Sequence, residues 1–174
     1  MIVDLATHAW GPPEGERVLL LHGVQSSAAT WWRIADGLAA DGRRVVAPDL
    51  RGHGRSPAAV SYALADLAAD VRAIGGDWDL VVGHSLGGTL AAHLVGDPGF
   101  ARRAVLLDPV LQLPEEGFEA IVAAQLAELA APPADPRWHP EDARLKRAAA
   151  RQTSPYVNEA VLRDNRPWRE PTGQ

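Results

Sequence analysis

Ser85 stands in Gly83-His84-Ser85-Leu86-Gly87, a serine with a glycine two places to either side. That spacing suits a nucleophile. A serine on a sharp turn between a strand and a helix has its hydroxyl lifted clear of the chain, and small residues on either side let neighbouring backbone come close. The apolar run Leu80-Val81-Val82 precedes the motif, and a helical pattern opened by Leu86-Gly87-Gly88 follows it. The chemistry implied is attack on a carbonyl carbon. The oxyanion so formed needs N–H donors, and the Leu86 amide at a helix start is one candidate. The Val24 amide, in Leu21-His22-Gly23-Val24 just past an earlier apolar run, is a second. Each such donor contributes roughly 3–4 kcal/mol in the transition state. His22-Gly23 taken alone reads equally well as a plain turn.

Four short apolar runs must position these residues: Val18 to Leu21, Val45 to Ala47, Leu80 to Val82 and Ala104 to Leu107. None alternates with polar residues, so each is expected to be a strand buried on both faces of a parallel sheet. Helices fall between them. Trp31, Ile34, Ala35 and Leu38 share one helical face; Leu64, Leu67, Ala68, Val71 and Ile74 share another, ended by Gly75-Gly76. A third helix is expected from Leu86 to Val95. The fold class is therefore α/β, a mostly parallel, doubly wound sheet over residues 1–111, with the serine at its carboxyl edge.

After residue 111 no strand pattern occurs. Helices are expected from Pro114 to Ala131 (stopped by Pro132-Pro133), Pro140 to Arg151 and Pro155 to Asp164, each opening on proline. Residues 112–174 would form a helical lid or cap over the site, with Trp138 and Trp168 helping to select substrate. The alternative is a set of helices merely packed on the sheet.

Three segments occur in one order: Leu21-His22-Gly23, then Ala47-Pro48-Asp49-Leu50-Arg51-Gly52-His53-Gly54-Arg55-Ser56, then Gly83-His84-Ser85-Leu86-Gly87-Gly88. With them, residues 17–111 resemble the N-terminal core of the α/β-hydrolase superfamily. The resemblance implies a serine hydrolase of the esterase or thioesterase sort, acting through an acyl-enzyme on a small apolar ester-type substrate. Ser85 would attack, Val24 and Leu86 would hold the oxyanion, and His22, Gly23 and His84 would border the substrate. The Asp49 to Ser56 segment would be mostly structural, His53 being a loop residue before it is a catalytic candidate. His93, mid-helix, reads as structural or exposed. Asp108, after the fourth apolar run, is a candidate triad acid, as in some members; in others the same Asp-Pro pair is structural.

Serine needs a base. In the family the histidine follows the last strand, after at least two further strands, and none of these is legible here. The resemblance thus implies a fold incomplete at its C-terminal side. His139 reads as a helix cap on the lid, with a stand-in base as the lesser alternative. In a serine protease, losing the histidine alone cost about six orders of magnitude in turnover. The run Ala104 to Leu107 would form an exposed sheet edge, open to a second copy or a complementing chain. The rival reading is a catalytically inactive or fragmentary module. A phosphate-binding dinucleotide fold fits poorly, because no Gly-x-Gly-x-x-Gly follows the first run.

Composition bounds the rest. The 174 residues are 47% hydrophobic and carry net charge −5, so no basic surface recommends a nucleic acid or an anionic membrane. No cysteine is present, which excludes disulfides and thiolate metal sites. Neither a cofactor nor a metal is called for, and the expected partner is a small-molecule substrate. No signal-peptide pattern opens the chain, so a cytoplasmic location is expected. Lys146 is its one lysine, which reads as genome composition rather than as a binding signal.

Overall fold

The computed structural model describes residues 1–130 and 137–167. Its strands are β1 (Thr7–Trp10), β2 (Arg17–Leu21), β3 (Arg44–Pro48), β4 (Leu80–His84) and β5 (Ala104–Leu107). Its helices are α1 (Trp32–Ala40, entered through a 3-10 turn at Ala28–Trp31), α2 (Leu64–Ile74), α3 (Leu86–Leu94), α4 (Phe118–Ala130), α5 (Pro140–Gln152) and α6 (Val157–Asp164). The strands form one sheet in the order β1-β3-β2-β4-β5. All pairings are parallel except β1 with β3. The doubly wound α/β expectation is thereby met.

For β2 to β4 the apolar runs are explained by what covers each face; β5 departs from the expected burial on both faces, Ala104 to Leu107 being exposed because β5 is the outermost strand of the sheet. On β2, Leu19 and Leu21 enter a core cluster with α2, α3 and α6, whereas Val18 and Leu20 enter a second cluster with Ala28, Trp31 and Ala35. Side chains alternate across a strand, so two buried faces demand an unbroken apolar run. β1 was not expected, because Thr7-His8-Ala9-Trp10 is no such run. It is an antiparallel edge strand whose residues alternate between exposed and half-buried, so it needs only half an apolar pattern.

The helices beyond β5 depart from expectation at two starts: α6 begins at Val157 rather than Pro155, and α4 at Phe118 rather than Pro114, after a turn closed by Phe118 N–H on the Glu115 carbonyl with Gly117 at φ 73°. The proline pair that should stop α4, Pro132-Pro133, and Trp168 lie outside the described residues. α6 is a core element. Val157, Ala160, Val161 and Leu162 are buried in the same cluster as β2 and α3, and the Asp164 carboxylate accepts the Tyr62 N–H at 2.7 Å. Ser154 N–H also donates to the Gly52 carbonyl at 2.8 Å. Residues 152–165 thus pack into the core that the sheet forms with α2 and α3.

Candidate active site

Ser85 sits at φ 51°, ψ −119°, between β4 and α3. A non-glycine residue there is strained, and the surroundings hold it in place. Its N–H donates to the Leu107 carbonyl at 2.9 Å, and its carbonyl accepts the Thr89 N–H at 3.0 Å. The flanking glycines are required by contact. A Cβ on Gly83 would lie 2.1 Å from the Gly87 carbonyl oxygen, and one on Gly87 would lie 2.1 Å from that of Leu21. The turn closes on itself and on β2 at once. Its hydroxyl takes no hydrogen bond from any described residue.

The loop after β2 lies against the serine. A Cβ on Gly23 would come within 3.0 Å of the Ser85 Cβ and 3.2 Å of His84 Nδ1. Gly23 to Ser26 form a turn, closed by Ser26 N–H on the Gly23 carbonyl at 3.2 Å, with Gln25 at φ 54°. Among the described residues neither the Val24 N–H nor the Leu86 N–H has an acceptor. Leu86 is the first residue of α3, where the helix leaves its amide unpaired and the dipole favours negative charge.

His22 is buried with both ring nitrogens committed to backbone. Nδ1 donates to the Gly23 carbonyl at 2.8 Å and Nε2 accepts the Leu50 N–H at 2.9 Å, which fixes the neutral tautomer. Burial, then the neighbouring His53, pushes its pKa well below the ordinary value. His22 therefore ties the β2 loop to the segment after β3. Asp49 does the same, accepting from Ala28 N–H at 2.8 Å and Arg55 N–H at 3.0 Å. Arg51 and Asp70 form a buried, two-point ion pair at 2.6 and 2.8 Å. Gly54 lies so close that its Cβ would meet the Asp49 carboxylate at 2.4 Å. The whole segment from Asp49 to Ser56 is bracing. His53 belongs to it: its Nδ1 donates to the Arg51 carbonyl at 3.0 Å, and burial lowers its pKa to about 4.

A cavity of about 210 Å³ opens beside the loop, lined by His22, Gly23, Ser26, Thr30, His84 and Leu107, with Trp31 and Ile34 as its apolar wall. The sequence reading placed three of these, His22, Gly23 and His84, beside the substrate. Trp31, Ile34 and Leu107 were read only as helix and strand residues, and Ser26 and Thr30 escaped it. Asp108 follows β5 at φ 47° and is exposed. Its charge raises the His84 pKa, against the larger lowering by burial and then by Lys146. His139 caps α5, its Nδ1 accepting the Glu141 N–H at 3.2 Å, and its ring lies 5.8 Å from that of Trp32. His93 is half-buried on α3. Among the described residues no cluster of three potential metal ligands forms, and no helix is long and apolar enough to cross a membrane.

A sequence profile described as alpha/beta hydrolase fold matches residues 16–140. The chain belongs to the α/β-hydrolase family. Lipase LipV of Mycobacterium tuberculosis is 39% identical over 132 residues, covering 73% of this hydrolase-family chain and 50% of the lipase. A putative carbamate hydrolase, RutD of Variovorax paradoxus, is 45% identical over 93 residues, or 50% of this chain and 35% of that protein. The chain thus spans half or less of the length of these two relatives. The solved structure of a hydrolase from Pseudomonas aeruginosa superposes with TM-score 0.78 at 24% identity, over 96% of this chain and 70% of that one. At that identity the likeness concerns the α/β-hydrolase fold alone.

Proposed function

We propose that the protein is a serine hydrolase of esterase or thioesterase type, with Ser85 as nucleophile. The observation that carries this is the strained Ser85 backbone held against a loop with a free amide, at the start of a helix with another. Ser85 Oγ attacks the carbonyl carbon of an ester or thioester and gives up its proton to a base. The tetrahedral oxyanion is held by the Val24 and Leu86 amides, then collapses with loss of the alkoxide or thiolate. Water hydrolyses the acyl-enzyme in the second half. The cavity is smaller than the roughly 300 Å³ at which drug-sized pockets begin, which favours a small acyl group. Asp108 is the candidate acid.

The base comes from outside the described residues. Val105, Leu106 and Leu107 on the outer strand β5 are 44%, 37% and 38% exposed, an apolar edge suited to further strands. We assign that edge to a complementing segment, since the superposition leaves 30% of the solved Pseudomonas aeruginosa hydrolase without a counterpart here.

A fluorophosphonate probe tests the reading. It should label Ser85 once the complementing segment is supplied as a chain extension or in trans, and Ser85→Ala should abolish labelling. Absence of labelling in every arrangement would leave a non-catalytic module of the same fold. A dimer that labels without added segment would make a second copy the occupant of the edge.

A further inference from the structure

Lys146 lies on α5, yet its Nζ donates to the Gln25 carbonyl at 3.0 Å, across 121 residues of sequence. Gln25 stands in the turn between Gly23 and Ser26, both of which line the cavity. The ammonium is therefore held on the loop whose Gly23 lies against Ser85 and whose Gly23 and Ser26 line the cavity. The two carboxylates of α5 are engaged elsewhere, Glu141 with Arg144 and Asp142 with Arg33. Lys146 has no carboxylate within ion-pair reach among the described residues, and only one of its three N–H donors is used. Burial pushes its amine down, with no opposing contribution from a nearby anion. His22, His53 and His84 all feel its charge.

A mostly buried cation without counter-charge is unfavourable, and a bound anion relieves the cost. A single ammonium makes a one-point contact, which suits a carboxylate; planar two-point recognition is the province of arginine. We propose that Lys146 determines specificity at this site by receiving a carboxylate carried on the acyl part of the substrate. The substrate class is then a short dicarboxylic half-ester or half-thioester. This rests on the serine-hydrolase reading for its reaction, though the anion site stands on its own geometry.

The single lysine makes the test direct. Protein labelled with ¹³C at lysine Cε gives one side-chain resonance to follow. Glutarate should shift it saturably and raise the amine's titration midpoint, and neutral glutaramide should do neither. Lys146→Met should weaken glutarate binding by about tenfold or more, and Lys146→Arg should retain part of it. An unshifted resonance, or equal shifts with glutaramide, overturns the proposal. So does a Lys146→Met protein that is merely less stable, with its glutarate preference intact, since that is the behaviour of a structural tie. Fluorophosphonate labelling of the same protein, with the complementing segment supplied as a chain extension or in trans, separates the two readings. Labelling without glutarate selectivity sinks this inference alone, and glutarate binding without labelling sinks the hydrolase reading alone.

Discussion

The serine turn and the α5 face meet the same loop after β2 but are built in opposite ways. Around Ser85 the contacts are backbone on backbone: Gly83 on Gly87, Gly87 on the end of β2, and Ser85 N–H on β5. Helix α5 reaches the β2 loop and α1 through side chains, Lys146 on Gln25 and Asp142 on Trp32 and Arg33. Backbone contact leaves no room for variation, and side-chain contact at a helix face leaves a great deal. The first region is rigid by construction; the second can be altered without disturbing the turn.

The largest effect expected from this contrast is at Gly87. Gly87→Ala places a methyl against the Leu21 and His22 carbonyls and should lower unfolding free energy by at least about 3 kcal/mol in urea titrations. Gly37, on α1 with nothing within 4 Å of an added Cβ, is the internal control. Gly37→Ala should stabilise by roughly 0.5–1 kcal/mol through helix propensity. Equal effects at the two sites would dissolve the distinction between a packed turn and an ordinary helix.

The bracing behind the turn sharpens the contrast through pH. His53 is held near 4 by burial, below its ordinary 6.5, so the unfolded chain binds more protons between those values. Stability from this group is complete above about pH 6.5 and is lost as pH falls toward 4, by roughly 3 kcal/mol in all. His22 acts in the same direction. Denaturation midpoints from pH 7.5 to 4 should fall accordingly, and His53→Asn should flatten the slope. An unchanged slope would mean that His53 is not buried neutral.

The same division explains what the sequence made legible. The strands β2 to β5, the serine turn and its two glycines follow local rules, since apolar runs and small residues report contacts within a few positions of themselves. β1 was missed because an edge strand needs no apolar run. Lys146 was read as composition because nothing near it on α5 says that Gln25 will lie beneath it. Ser26 and Thr30 were missed for a related reason: their hydroxyls bond each other at 2.7 Å across the start of a 3-10 turn that has no side-chain cap hydrogen bond. Long-range placement by single side chains leaves no periodicity to detect.

The smallest expected effect is the one that tests the contrast itself. Asp142 accepts the Trp32 indole N–H at 2.8 Å and pairs with Arg33 at 3.4 Å, about a third exposed, in the first turn of α5. Asp142→Ala should cost about 1 kcal/mol or less globally, as partly exposed ion pairs do. Its local consequence should be larger in kind. If α5 opens separately from the sheet, amide exchange should quicken along α5 while β4 and α3 keep their protection. Exchange that quickens equally in α5, β4 and α3 would join both regions in one cooperative unit. Specificity at Lys146 would then be as hard to alter as the serine turn, because moving the helix would mean unfolding the sheet.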